Sequence, residues 1–161
     1  MTAPTSGRTA SSIAGFPTGA GSAAQPDLDE LVRQHEARQA LAARAAYSLL
    51  RITASMPADN RFGADAVAAG QRATAWLAGC ATNPGRWASL SVLVAELGQL
   101  DVLLAEVRAQ LATVLAWVSH NLGSQVGRPG LQQTIRVPRT LLSECTTLIA
   151  DLATLAPAAA A

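Results

Sequence analysis

The sequence contains no lysine, so arginine supplies all 12 positive charges, against 11 acidic residues and a formal net charge of +1. A chain with so little net charge has no overall field to concentrate nucleic acid, anionic lipid or an acidic substrate. The absence of lysine also removes the usual phosphate ligand of nucleotide-binding loops, and no GxxxxGK[ST] motif occurs. The alanine-rich, lysine-free composition is typical of a GC-rich coding genome and needs no functional cause.

Cysteine and long apolar runs are also scarce. Cys80 and Cys145 lie on separate predicted helices without CxxC or Cys/His spacing, which favours two free thiols in a cytoplasmic protein. The N-terminus has no apolar stretch of signal-peptide length. The longest uncharged run, residues 109–127, is too polar to span a bilayer. The sequence therefore predicts a cytoplasmic protein that does not enter a membrane.

The two histidines, His35 and His120, both lack a glutamate three residues before them, so the Glu-x-x-His motif of carboxylate-bridged metal bundles is missing. We expect His35 to be an exposed or boundary residue of the first helix, and His120 a surface residue near a helix C-terminus. No metal, cofactor or catalytic residue is predicted, and we expect the protein not to be an enzyme.

Three acidic residues and three tryptophans are the remaining candidates for a site. Glu96, Asp101 and Glu106 are spaced by five, so they rotate around a helix, and we expect them to form a solvated face. The tryptophans are predicted to be core or interface residues, with the alternative that they line a ligand pocket between helices; they are Trp76, Trp87 and Trp117.

Apolar spacing divides the chain into four predicted helices, at about 27–56, 61–81, 84–122 and 138–155. Residues 1–26 are mostly Ser, Thr, Gly, Ala and Pro, with Ile13 and Phe16 as large apolar groups. We interpret this segment as a disordered tail. Residues 157–161 form a second disordered fringe, which leaves 27–156 as the helical domain. The small residues Ala69, Gly70 and Ala73 predict a tight helix crossing.

The third helix carries the clearest pattern, since nine aliphatic residues from Leu90 to Val118 alternate at spacings of three and four. Such a heptad seam, widened by flanking apolar positions, is typical of a bundle. The predicted fold is an all-α antiparallel bundle of about four helices, with a long central helix and a disordered N-terminal tail.

The function this pattern favours is a non-enzymatic protein–protein interaction or scaffold protein. We expect it to associate with itself, or with another helical protein, through helix 84–122. The residues predicted to carry this self-association seam are Leu97, Leu100, Leu104, Val107 and Leu111. A substitution Leu104→Asp is expected to dissociate or unfold the protein.

An alternative function rests on the loop from Arg128 to Arg139, which contains Arg136 and no acidic residue. Arg128, Arg136 and Arg139 are possible phosphate contacts, which would make the protein a small DNA-associated accessory or regulatory protein of a mobile element. Three arginines are few for that purpose, and a solvated loop is the simpler interpretation.

Overall fold

The computed structural model describes residues 27–57, 60–81, 89–124 and 137–155. Within these ranges the chain forms four helices and no strand. They are α1 (Leu28–Thr53), α2 (Arg61–Ala81), α3 (Leu90–Ser124) and α4 (Arg139–Thr154). The predicted all-α antiparallel bundle with one long helix is confirmed. The predicted tail, residues 1–26, and the fringe, residues 157–161, lie outside the described residues.

Polar side chains and tight turns set the helix ends. Asp27 caps α1, its carboxylate accepting a hydrogen bond from the amide of Asp29 at 3.2 Å. α1 ends at Thr53, before the predicted 56, because the amides of Ser55 and Met56 bond to carbonyls three residues earlier and tighten the last turn. Asn60 caps α2 by accepting from Phe62 at 2.9 Å. The predicted start of the third helix, at residues 83 and 84, lies outside the described residues.

α1 and α3 lie at the centre of the bundle and run parallel to each other. His35 and Arg38 of α1 meet Glu96 and Asp101 of α3, in that order along both helices. α2 runs the other way, so the four helices alternate in direction. As far as the described helices extend, α2 and α4 each contact α1 and α3 but not one another. α3 is therefore surrounded on three sides and open on the fourth.

Small residues bring α1 and α2 close together. Ala66, Ala69, Gly70 and Ala73 of α2 are buried. A Cβ at Gly70 would lie 2.9 Å from Cγ and Cδ2 of Leu50, closer than side-chain carbons pack. The predicted tight crossing is confirmed, and it needs a residue without a side chain at position 70.

The heptad seam of α3 forms the core of this single chain. From Leu93 to Val118 every seam residue is buried, whereas Leu90 is partly exposed. The five residues predicted to mediate self-association are all buried among the chain's own helices; they are Leu97, Leu100, Leu104, Val107 and Leu111. A second copy would reach them only by displacing one of those helices, so self-association through α3 needs a different face.

None of the four helices combines the length and the apolar character that a membrane crossing requires, within the part of the chain that is described.

Candidate interaction surfaces and the polar contacts behind them

The acidic residues of α3 pair with basic residues of neighbouring helices. Oε2 of Glu96 lies 3.3 Å from Nε2 of His35, and Oδ1 of Asp101 accepts a hydrogen bond from Nε of Arg38 at 2.8 Å. Glu106 pairs with Arg72 of α2. The predicted solvated face is therefore wrong. Successive residues spaced by five are rotated by about 140° around the helix axis, so these acidic side chains contact different neighbouring residues.

His35 is fully buried, so its predicted place at an exposed or boundary position is also wrong. Its ring lies against Glu96 on one side and, with 6.3 Å between ring centroids, near Trp76 of α2. The Trp76 indole also reaches Gln99 of α3 at 3.5 Å. Residues of three helices, α1, α2 and α3, thus meet around the imidazole of His35. The described residues contain no group of three or more His, Cys, Asp or Glu that could hold a metal ion.

A second polar contact joins α4 to α1. Oε1 of Glu144 accepts a hydrogen bond from the hydroxyl of Ser48 at 2.9 Å, and its other oxygen lies 3.8 Å from Arg51. Burial, and then the charge of Glu144, raise the pKa of the neighbouring Cys145 thiol to about 11, against a smaller opposing effect of Arg51. Both thiols, Cys80 and Cys145, are free.

The remaining predicted positions divide between core, surface and undescribed segments. Trp76 and Trp117 are half-buried and pack against the main core, and His120 is exposed. Arg139 is exposed in the first turn of α4. The other predicted positions, Trp87, Arg128 and Arg136, lie outside the described residues, so the predicted phosphate contact by the three arginines stays a prediction.

The open side of α3 carries almost no charge. We call this surface the outer face of α3; its residues are all exposed and alternate at spacings of four and three. They are Ser91, Ala95, Gly98, Val102, Ala105, Ala109, Ala112, Ala116 and Ser119. Val102 is 72% exposed, the highest value among the large apolar residues described. Among the described side chains of α3, Arg108 is the only exposed arginine or acid.

The exposed side of α1 shows what a solvated helix face looks like in this protein. It carries Arg33, Glu36, Arg44 and Arg51, all exposed. The exposed side of α1 thus presents four charged side chains to water, whereas Arg108 is the one exposed charged residue among the described side chains of α3. The outer face of α3 does have a pattern in the sequence: its residues form a second run at heptad spacing, offset by two residues from the aliphatic seam. Because these residues are mostly Ala, Gly and Ser, the run does not stand out as a hydrophobic stripe.

Among the described residues, one end of the bundle has three helices in place of four. α4 is 16 residues long, about 24 Å, whereas α3 has 35 residues and extends about 52 Å. Because Glu144 meets Ser48 and the two helices run in opposite directions, Thr154 at the end of α4 lies near the level of Arg38. The part of α1 before Arg38 has no described helix on the α4 side.

We call this region the open end; it consists of residues 28–37 of α1 and 90–100 of α3. Leu28 precedes His35 by seven residues and Leu90 precedes Glu96 by six, so the two leucines lie at similar levels. Leu28 is 50% exposed, Leu90 38% and Val92 41%. Behind them lies a separate small core of Leu31, Leu93 and Leu97, with Val32 and Val94 half-buried against it.

The chain matches no protein-family model, no curated protein and no solved structure.

Proposed function

We propose that the protein is a non-enzymatic helical interaction or scaffold protein that self-associates through the outer face of α3. The observation that carries this proposal is Val102, a valine 72% exposed in the middle of a helix face without charge. Contiguous apolar surface of this kind, as opposed to single exposed residues, is typical of interaction sites.

The outer face suits a second copy of itself. The nine positions extend from Ser91 to Ser119, and Ala105 is their midpoint. Two copies that meet in antiparallel orientation, with the two-fold axis at Ala105, would bring the same residues together from both sides, as an isologous dimer requires. Alanine, glycine and serine allow two helix backbones to approach closely over about 42 Å.

The buried polar contacts support a structural role over a catalytic one. His35, Glu96, Arg38 and Asp101 are each used to join α1 to α3 in the packed interior. These pairs determine which residues of α1 and α3 lie side by side. The resulting rigid bundle keeps α3 straight, so its outer face is a continuous surface for a partner.

The test is the mass in solution of three proteins, measured by light scattering across a range of concentrations. We expect the wild type to be a dimer and Ala105→Arg to be a monomer, because the substitution places two arginines opposite each other at the two-fold axis. Ala43→Arg is the matched control, since Ala43 is also exposed, on the charged side of α1. A monomeric wild type, or an Ala105→Arg protein that stays dimeric, contradicts the proposal.

A further inference from the structure

An acid and an arginine border the outer face of α3 on the side away from α2. Glu106 pairs with Arg72 of α2, so it borders the outer face on the side of α2. Asp101 and Arg108 are seven residues apart and lie on one side of the helix, turned by about 140–160° from Glu106. Arg108 is exposed and Asp101 is partly exposed, so both are accessible beside the outer face. We call these two residues the charged flank.

The two-fold axis at Ala105 brings opposite charges of the charged flank together. An axis perpendicular to both helices keeps each flank on its own side of the interface, so the charged flanks of the two copies face each other. Arg108 of one copy and Asp101 of the other lie three and four residues from the axis in the same direction, a difference of about 1.5 Å. We propose that Arg108 of each copy pairs with Asp101 of the other, and that these two symmetric ion pairs set the antiparallel register. The inference rests on the self-association proposed above.

Asp101 is held in place and is able to bind a second arginine. Its Oδ1 accepts a hydrogen bond from Nε of Arg38 at 2.8 Å, and 23% of its side chain is exposed. A carboxylate has two oxygens with about four acceptor positions, so it can accept from two guanidinium groups at once. Because Arg38 already orders the carboxylate, pairing with Arg108 of a second copy costs less side-chain entropy than pairing between two mobile groups.

The side of the outer face next to α2 needs no further charge. There the same axis brings Glu106 of the two copies near each other, since each lies one residue from the axis. Each Glu106 is paired with Arg72 of its own chain, so the two acids do not meet unpaired. The charged flank is therefore the side on which attraction between copies arises. Charges that flank a helix–helix seam set orientation and partner choice more than they add affinity.

The experiment measures the dissociation constant of the dimer by analytical ultracentrifugation of the full chain. Arg108→Asp places acids opposite each other at both symmetric contacts, and we expect the dissociation constant to rise by about tenfold. Arg108→Asp/Asp101→Asn removes this repulsion and keeps an acceptor for Arg38, so it should recover most of the loss. Arg44→Asp is the control, because Arg44 is exposed on α1 and the charge changes by the same amount. Circular dichroism checks that all variants keep their helix content.

Three outcomes overturn the ion pair between copies. They are an Arg108→Asp protein with the wild-type dissociation constant, a loss that Asp101→Asn does not recover, and an equal loss in Arg44→Asp, which would show an effect of net charge alone. The dimer itself is judged separately. A dimeric wild type that Ala105→Arg makes monomeric keeps the proposed function whatever the charged flank shows, whereas a monomeric wild type contradicts both.

Discussion

Nε2 of His35 lies 3.3 Å from Oε2 of Glu96, and this contact joins the two central helices inside the protein. Both residues are buried, and Trp76 covers the imidazole from α2. A buried ionisable pair adds little net stability compared with apolar residues of the same size, but removal of one partner leaves the other buried without its counterpart. The pair therefore fixes the register of α1 against α3.

Glu96→Ala is expected to lower the free energy of unfolding by about 3 kcal/mol, since it takes the carboxylate from the buried His35. The double variant His35→Leu/Glu96→Leu should recover most of that loss, because two apolar side chains remove the buried polar groups together. Urea denaturation followed by circular dichroism measures both. Glu106→Ala is the control. Glu106 is half-exposed, so this substitution should lower the free energy of unfolding by much less than Glu96→Ala does. Equal decreases in the free energy of unfolding for the two variants would show that the buried contact of Glu96 with His35 contributes no more than an exposed ion pair.

Gly70→Ala tests the α1–α2 crossing against Gly98→Ala. Alanine gains about 1 kcal/mol over glycine in a helix interior at either position. At Gly98 nothing in the same chain lies within 4 Å of the new Cβ, so this gain should appear as added stability when both variants are compared in the monomeric Ala105→Arg background. At Gly70 the Cβ would meet Leu50 at 2.9 Å, and repacking should cost about 1–3 kcal/mol. Melting temperatures give the comparison. If Gly70→Ala stabilises as much as Gly98→Ala, the helices do not approach as closely as described.

Leu104→Asp separates the buried seam from the outer face. Leu104 lies in the core, and an unpaired carboxylate there should remove more than about 4 kcal/mol and abolish cooperative unfolding. Val102→Asp, two residues earlier on the exposed side, should keep its helix content and lower the mass in solution. Circular dichroism and light scattering distinguish these effects. A folded Leu104→Asp protein with an unchanged melting temperature would contradict the assignment of the seam to the core.

The two thiols are expected to differ in reactivity at pH 8. Cys145 is buried with a pKa raised to about 11, so it is almost entirely a thiol and out of reach of reagents, whereas Cys80 is only half-buried. A chromogenic thiol reagent should therefore modify one cysteine in the native protein and both in denaturant, and mass spectrometry identifies which. Rapid native labelling of Cys145 would show that α4 leaves the bundle readily.

The same pKa predicts how stability depends on alkaline pH. The folded state holds the Cys145 proton more tightly than the unfolded chain, whose thiol has the ordinary value of 9.0. The stabilisation is therefore complete below pH 9 and is lost as the pH rises from 9 to about 11. Denaturation at several pH values should show a smaller loss over this interval in Cys145→Ser than in the wild type.

The nucleic-acid alternative has a direct test. A gel shift with duplex DNA at low salt, repeated with Arg128, Arg136 and Arg139 all changed to Ala, asks whether that part of the chain contacts phosphates. Binding that weakens with salt in the wild type and disappears in the triple variant would favour a DNA-associated protein. We expect no binding by either protein, since the net charge is only +1. Replacement of Arg33, Arg44 and Arg51 on the exposed side of α1 gives the control for lost positive charge.

The sequence by itself determined the helices and the seam. The spacing of the aliphatic residues from Leu93 to Val118 is a local property of the chain, and an apolar stripe at helical spacing must be covered by something. A cap such as Asp27 acts within one turn, so it too can be interpreted without knowledge of the fold. The spacing of the seam does not determine whether the chain's own helices or a second copy of the protein pack against it.

Only the tertiary structure decided the environment of the polar residues and the location of the exposed apolar surface. Glu96 and Glu106 would face water on an isolated helix, and they face His35 and Arg72 because α3 is surrounded on three sides. His35 is buried for the same reason. Which side of α3 stays open depends on how α1, α2 and α4 pack around it, and the run of small residues on that side does not by itself tell an open face from a closely packed one. The exposure of Val102 and the three-helix open end follow from the arrangement and unequal lengths of the helices, which are properties of the assembled bundle.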